Sequence, residues 1–276
     1  MTKFYELIDS GEGRRLERFG DYILDRPDPQ VIWKKNLQPS EWEKANAKFD
    51  NGWKNNDVPE KWILEYNAVK FYAKLTPFKH TGIFPEQAVQ WDWINEKLKS
   101  KKEEVANLNI LNLFGYTGIA SLFAAKAGAT VTHVDASRPA ITWANENRAL
   151  NNEKWPIRWI VDDALKFTER EAKRGVKYDA IIMDPPVYGH GPQGDVWDFN
   201  KDFPRLLENC KKILSDNPLF VLVNAYAISS SSITLANTLQ GVFGDVEGTI
   251  ENGELTLKET SGGRLLSTGI WARWSK

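Results

Sequence analysis

The pattern of apolar and polar positions changes character partway along the chain. From Phe4 to Leu75 the apolar residues come in short runs broken by turn formers. Phe4–Ile8 meets Asp9-Ser-Gly-Glu-Gly13, Arg15-Leu-Glu-Arg-Phe19 alternates charged with apolar residues, and Gly20-Asp21 precedes Tyr22–Leu24. Prolines at 27 and 29 stop this pattern. Period-two alternation bounded by Gly, Asp and Asn predicts half-buried strands joined by tight turns. Ser40–Phe49 reads as a helix with Ser40 as N-cap and Glu43 completing a capping box. Asp50–Asp57 reads as a loop, and Lys61–Tyr66 and Val69–Leu75 as two more strands. Residues 80–90 then enter a helix running to about Lys101, with Pro85 in its first turn and Trp91, Ile94 and Leu98 at helical spacing.

From Asn109 onward short apolar runs alternate with longer helical patterns. Strand Ile110–Phe114 ends in the turn Gly115-Tyr-Thr-Gly118, helix Ile119–Lys126 is closed by Gly128, and strand Thr130–Val134 leads into Asp135. A helix from Arg138 to Leu150 follows, then strand Ile157–Val161 ending at Asp162-Asp163-Ala164, and a charged helix to Arg174. Strand Tyr178–Met183 runs into Asp184-Pro-Pro186, and a Gly-rich loop, Tyr188–Gly194, precedes a helix from Lys201 to Leu214. Strand Leu219–Val223, a helix starting at 229–232, and a hairpin over Glu247–Trp274 with turns at Asn252-Gly253 and Gly262-Gly263 complete the chain. Five buried strands separated by helices predict a parallel sheet, and the final antiparallel pair makes seven. The expected fold is α/β, a Rossmann-like and mostly parallel sheet, with ligands at the carboxyl ends of the strands. Residues 1–79 are expected to form a β-rich N-terminal region and residues 80–276 the α/β domain.

Composition narrows the picture only a little. A length of 276 residues suits a main domain of about 200 residues with a smaller appendage. The formal net charge of −1 gives no global electrostatic case for nucleic acid. The basic clusters Arg14-Arg15 with Arg18, Lys34-Lys35 and Lys97–Lys102 read as solvated faces. One cysteine excludes an intramolecular disulfide, and with only three histidines no metal site is expected. The opening Met-Thr-Lys-Phe-Tyr-Glu lacks the apolar core of a signal peptide, and no apolar run approaches the ~18 residues of a membrane span, so the expected location is cytoplasmic. Of twelve tryptophans, Trp33, Trp42, Trp53 and Trp62 are expected in the core of the N-terminal region.

The chemistry concentrates at the strand ends. Strand, Gly turn, helix and strand ending in an acid is how α/β proteins hold a ribonucleoside. The turn has glycines at i and i+3, not the three of G-x-G-x-x-G, and the acid lies twenty residues beyond Gly115, which suits dinucleotide and single-nucleoside sites equally. Asp184-Pro-Pro-Val-Tyr188 adds a carboxylate, an extended turn whose proline carbonyls accept hydrogen bonds without a competing donor, and an aromatic face. Acceptors without donors suit an incoming amine or amide edge. His190 reads as a solvated loop histidine, and Trp197 either stacks on a base or anchors the loop.

These motifs together resemble the class I S-adenosylmethionine-dependent methyltransferases. The resemblance is carried by Asn112-Leu-Phe-Gly-Tyr-Thr-Gly118, Asp135, Asp163-Ala164 and Asp184-Pro-Pro186, and spans most of residues 80–276. Within that class the chain is similar to bacterial ribosomal-RNA methyltransferases with a D-P-P-x-[FY] motif and a T-G-x-[FY] element, which Thr81-Gly-Ile-Phe-Pro-Glu-Gln87 matches. The resemblance implies S-adenosyl-L-methionine as cofactor. Phe114, Gly115, Tyr116, Thr117 and Gly118 would line its methionine and ribose, with the carboxylate at the N-terminus of the following helix. Asp135, with Ala136, would take the ribose hydroxyls, Asp163 and the Ala164 amide the adenine, and Phe84 and Gln87 would close over the cofactor. Asp184, Pro185, Pro186 and Tyr188 would face the methyl acceptor.

The departures bear on the acceptor. Relatives that methylate C5 of cytosine need a cysteine, commonly after the fifth strand, where this chain reads Val223-Asn-Ala-Tyr226. Cys210 shares one helical face with Phe203, Leu206, Leu207, Ile213 and Leu214 and reads as core. Val187 stands where several relatives carry lysine. The expectation is methyl transfer to a nitrogen of a base in RNA without a cysteine nucleophile. The alternatives are an N/O-methyltransferase of a small molecule or protein, an NAD-dependent oxidoreductase, and a nucleic-acid-binding module without turnover.

Overall fold

The computed structural model describes residues 4–55, 57–100, 105–151, 154–191, 194–226 and 228–276. The chain forms two compact units, Met1–Ala88 with Thr256–Thr268, and Val89–Leu255 with Gly269–Lys276.

In the first unit, strands β1 (Tyr5–Gly11), β2 (Arg14–Phe19) and β3 (Tyr22–Pro27) form an antiparallel meander. Glu12 and Gly13, at φ +54° and +75°, make the two-residue turn that matches strand twist. A single helical turn, α1 (Pro39–Trp42), leads to β4 (Ala47–Phe49) and β5 (Trp53–Asn55), which extend the sheet in the order β1-β2-β3-β4-β5. Strands β6 (Trp62–Tyr66) and β7 (Val69–Ala73) form a separate hairpin.

The helix expected over Ser40–Phe49 is therefore not formed. Its N-cap is Gln38, no side chain caps it, and Ala47 pairs in parallel with Leu24 on β3. The open edge of β3 outcompetes a local capping signal worth about 1 kcal/mol. The loop expected over Asp50–Asp57 likewise contains the Asn51-Gly52 turn and β5, with Phe49 edge-on to Trp53 at 5.3 Å; Asn56 lies outside the described residues. Trp42 and Trp62 are buried, and Trp33 packs on the cluster of Leu7, Val31, Leu257 and Leu266.

Beneath this sheet Glu17 is fully buried and accepts both Arg26 fork nitrogens at 2.7 Å and the Tyr5 hydroxyl at 2.8 Å. Burial works against its charge, but Arg15, Arg26 and Tyr5 outweigh it and hold the carboxyl at about 2.

The second unit carries the α/β sheet. Helix α2 (Ala88–Lys99) precedes it; the expected extension to Lys101 lies outside the described residues. The alternation continues as β8 (Asn109–Leu113), α3 (Ile119–Lys126), β9 (Thr130–Asp135), α4 (Arg138–Ala149), β10 (Ile157–Val161), α5 (Ala164–Arg174) and β11 (Ala180–Met183). Next come the short β12 (Tyr188–His190) and β13 (Val196–Asp198), α6 (Phe199–Ile213), β14 (Phe220–Ala225), α7 (Ser232–Phe243), β15 (Thr249–Lys258) and β16 (Leu265–Ser275). The sheet order is β10-β9-β8-β11-β14-β16-β15, parallel from β10 to β14, with β16 antiparallel to β14. The Rossmann-like, mostly parallel seven-stranded sheet is thus present. Strand order reverses between β8 and β11, where such sheets open a crevice at their carboxyl ends.

Two local expectations fail here. Asn252-Gly253 lies inside β15, not at a turn, because a Cβ on Gly253 would stand 3.0 Å from the Trp271 ring of β16. The chain reverses further on, where Glu259 N–H donates to Arg264 O and Gly263 N–H to Glu259 O. The Gly-rich segment after Tyr188 is not a loop throughout: β12 pairs with β13, with Gly189 opposite Trp197, while Pro192 and Gln193 lie outside the described residues. Among the described residues no helix is long and apolar enough to cross a membrane.

Candidate functional site

The site is built outward from the end of β8. Phe114 and Tyr116 adopt φ of +52° and +50°, a left-handed conformation that non-glycine residues accept only where surrounding structure imposes it. Gly115 between them has no such φ; its small size is required from below. A Cβ there would stand 2.3 Å from His133 Cε1 and 2.5 Å from Nδ1. Gly118, at φ +82°, is the N-cap of α3, and no side chain caps that helix. Its missing Cβ lets α3 approach α4, since an added carbon would sit 2.8 Å from Ala144 Cβ. Thr117 is buried, and its carbonyl accepts from Asn147 Nδ2 at 2.9 Å.

Asp135, at the end of β9, faces this turn. Its Oδ2 accepts the Tyr116 N–H and its Oδ1 the Ser137 N–H, both at 2.8 Å. Burial raises its carboxyl above the usual range while these two amides pull it back. Each carboxylate oxygen keeps a second lone pair for a hydroxyl donor. Half-buried Ala136 completes the bend between Asp135 and Ser137. The Tyr116 hydroxyl is pushed up to about 12 by burial and then by Asp135.

At the end of β10 the two adjacent acids separate in role. Asp162 accepts the Asp163 N–H and pairs with Arg170. Asp163 Oδ1 caps α5 by accepting the Lys166 N–H at 2.9 Å, while Oδ2 lies 3.3 Å from where a Cβ on Gly191 would stand. Ala164, the first residue of α5, is buried.

At the end of β11, Asp184 is half-buried, Pro185 buried, and Pro186, Val187 and Tyr188 exposed. The Pro186 carbonyl is not unclaimed, as the bare sequence had it: Trp197 Nε1 donates to it at 2.7 Å. Trp197 is buried against the Phe114 ring at 5.0 Å between centroids, so it anchors the ribbon instead of presenting a stacking face. Tyr188 and His190, both exposed, meet edge-on at 5.4 Å. Cys210 is buried in the core on α6, and burial pushes its thiol up.

The second unit thus brings together Phe114–Gly118, Asp135, Ala136, Asp163, Ala164 and Asp184–Tyr188 along one edge of the sheet. Phe84 and Gln87 belong to the first unit, at the short 3-10 turn Pro85–Gln87, with Phe84 5.7 Å from the His80 ring. Sequence reasoning missed the support beneath the turn. Asn112 and His133 are register neighbours on β8 and β9, both buried, and Ser121 of α3 bridges them at 2.8 and 2.9 Å. His133 also meets the Trp159 edge at 4.8 Å, and burial lowers its imidazole to about 3, so it is neutral. The available signal was Asn112 within the apolar run of β8 and a histidine within β9.

Four similarities bear on this arrangement. A family model described as S-adenosylmethionine-dependent methyltransferase matches residues 44–241. The chain is 41% identical to a SAM-dependent methyltransferase from Agrobacterium tumefaciens, whose crystal structure superposes with a TM-score of 0.93 and covers 99% of this chain and 90% of that one. It is 34% identical over 194 residues to the ribosomal RNA large subunit methyltransferase K/L of Pseudoalteromonas atlantica, covering 70% of this chain and 25% of that protein. The protein of the same name from Alteromonas mediterranea is 30% identical over 217 residues, 77% of this chain and 29% of that protein. The chain spans about a quarter of the length of these curated relatives.

Proposed function

The chain belongs to the S-adenosylmethionine-dependent methyltransferase family, and we propose that it methylates a nitrogen of a base in ribosomal RNA. Its cofactor is S-adenosyl-L-methionine. The observation that carries the acceptor reading is the position of Asp184-Pro-Pro186. The register of Met183 with Leu113 sets its half-buried carboxylate beside the Phe114–Gly118 turn, which supports a role for it toward the acceptor. Ribosomal RNA is favoured by the names of the curated relatives. The methyltransferase domain in this reading is residues 80–276, with 1–79 as its β-rich N-terminal region.

The residues present fit the cofactor. The N-terminus of α3, uncapped by any side chain, offers amides to its amino-acid carboxylate. Asp135, pre-oriented by two backbone N–H groups, takes the ribose hydroxyls beside Ala136. Asp163 and the Ala164 amide would read the adenine. When bound, the cofactor supplies a methyl group already activated on a sulfonium. A Phe114 or Tyr116 ring near that cation would add ~0.5–2 kcal/mol. The protein's remaining work is alignment. Asp184 and the Pro185 carbonyl would accept hydrogen bonds from the acceptor and orient its lone pair for transfer. Tyr188 offers a face to the base. The buried, neutral Cys210 has no part in this route.

The test is transfer of labelled methyl from S-adenosylmethionine to RNA extracted from a deletion strain, followed by mass spectrometry of the digested nucleosides. A methylated nucleoside absent from the deletion strain and present in its parent supports the reading. Label confined to protein or small-molecule fractions would overturn it in favour of the alternative acceptors, toward which the net charge of −1 is equally permissive.

A further inference from the structure

Strand β14 ends in Val223-Asn-Ala225. Val221, Val223 and Ala225 enter the hydrophobic cluster shared with Ile181, Met183 and the apolar faces of α6 and α7. Alternation along a strand then sends Asn224 to the opposite face, with Leu222 and Phe220. Asn224 is 2% exposed, and among the described residues its Oδ1 has no hydrogen-bond partner. Two other buried asparagines of the unit behave differently: Asn112 binds Ser121 and Asn147 binds the Thr117 carbonyl. A buried amide oxygen without a donor is a costly thing to keep unless a ligand supplies the donor.

The position of Asn224 says which ligand. Met183 and Val223 are register partners in the parallel pair β11–β14, so Asp184 and Asn224 come next to each other at the carboxyl edge. A residue before proline is held extended, so the Asp184 side chain leaves on the face opposite Met183, the face of Asn224. Continued β8 would put Phe114 in the same row, but its φ of +52° redirects the ring onto Trp197 in the α6-side cluster.

We infer that Asn224 is a further acceptor-binding residue, whose amide oxygen, in place of the Pro185 carbonyl, pairs with Asp184 to hold the two N–H groups of an exocyclic amine on the substrate base. The inference rests on the reading of Asp184 given above. Two N–H···O bonds of about 2.9 Å diverging by about 120° from a planar amine need acceptors about 5 Å apart. Neighbouring strands place their residues about 4.8 Å apart. With one N–H on each oxygen, the nitrogen lone pair is left perpendicular to both bonds, which fixes its direction of attack. Because folding has already stripped Asn224 of water, its hydrogen bond to substrate is preorganised and carries no further desolvation.

Asn224→Leu and Asn224→Ala test this. Calorimetric affinity for S-adenosylmethionine and the melting temperature should match or exceed wild type, since a buried unpaired polar atom is removed. Transfer to RNA from a deletion strain should fall at least tenfold. Independently of turnover, tryptophan fluorescence with S-adenosylhomocysteine present should show wild type binding adenosine monophosphate at least threefold more tightly than purine riboside monophosphate, which lacks the amine. That preference should vanish in Asn224→Leu. Equal binding of the two nucleotides by wild type, or a preference that survives in Asn224→Leu, would overturn the role of Asn224. If RNA receives no methyl while the preference and its loss in Asn224→Leu are both seen, the RNA reading fails and Asn224 stands as the amine-binding group of another acceptor.

Discussion

Gly115→Ala is the sharpest probe of how the cofactor turn is held. The added methyl would lie 2.3 Å from His133 Cε1, over 1 Å inside ordinary contact. The imidazole cannot retreat, since it is fully buried, bonded to Ser121 at 2.9 Å and wedged against Trp159. The turn must therefore rise, drawing the Tyr116 N–H away from Asp135 Oδ2. Overpacking of this kind costs about 1–3 kcal/mol, and a hydrogen bond to a charged group contributes about 1.5–3 kcal/mol. If half of that total falls on the ligand-competent geometry, cofactor affinity drops about tenfold to a hundredfold. Calorimetry with S-adenosylmethionine on Gly115→Ala, His133→Ala and the double variant measures it. His133→Ala alone should lower the melting temperature but keep affinity within about threefold, the turn being left in place. The double variant should recover most of the affinity that Gly115→Ala loses, because the ring that the methyl strikes is gone. Wild-type affinity in Gly115→Ala, or a double variant no better than the single, would refute the reasoning and return the glycine to a direct role at the ligand.

The acids at the strand ends should separate by assay. Asp135→Ala should weaken S-adenosylmethionine binding at least tenfold by calorimetry, whereas Asp184→Ala should bind it normally and lose at least a hundredfold in transfer. Trp197→Phe removes the 2.7 Å bond to the Pro186 carbonyl while keeping an aromatic ring against Phe114; transfer should slow about tenfold with cofactor affinity unchanged in the same calorimetric titration. Acid should destabilise the first unit through Glu17, whose carboxyl is held at about 2 against an ordinary 4.5. A depressed carboxyl contributes its stability above 4.5 and loses it as pH falls toward 2. The melting temperature should drop across that window in wild type and change less in Glu17→Gln, whose starting value will be lower.

Much of the second unit was legible because four of the five parallel strands are short apolar runs running into Gly or Asp, so the order of elements and the acids at strand ends followed from pattern alone. What stayed hidden depended on partners distant in sequence. Ser40–Phe49 carries a sound local helix signal and still yields β4, since Leu24 offers a strand edge. Gly253 is small to accommodate Trp271, a reason not visible locally. In the site, Asp135, Asp163 and Asp184 were readable, but Asn112, Ser121 and His133 come from three elements and become a unit only when β8, β9 and α3 assemble. Asn224 was read as the lack of a thiol; its burial and its unpaired oxygen emerge only with the sheet.

The hairpin β15–β16 has a consequence for how the protein is made. Leu257 and Leu266 pack with Leu7 and Val31, and Glu259 accepts the Ser10 N–H and the Asn36 amide, so residues 256–268 are structural parts of the unit that begins at the N-terminus. On the ribosome, the first 88 residues emerge without them. At ~5–20 residues per second, roughly 170 further residues occupy about 10–35 s before the missing piece arrives. During that interval the buried Ser10 and the Asn36 amide lack their Glu259 partner, and the sheet of the α/β unit still lacks β16. Both units are therefore completed only by the β15–β16 hairpin, and the N-terminal strands are where a nascent-chain chaperone would be needed longest.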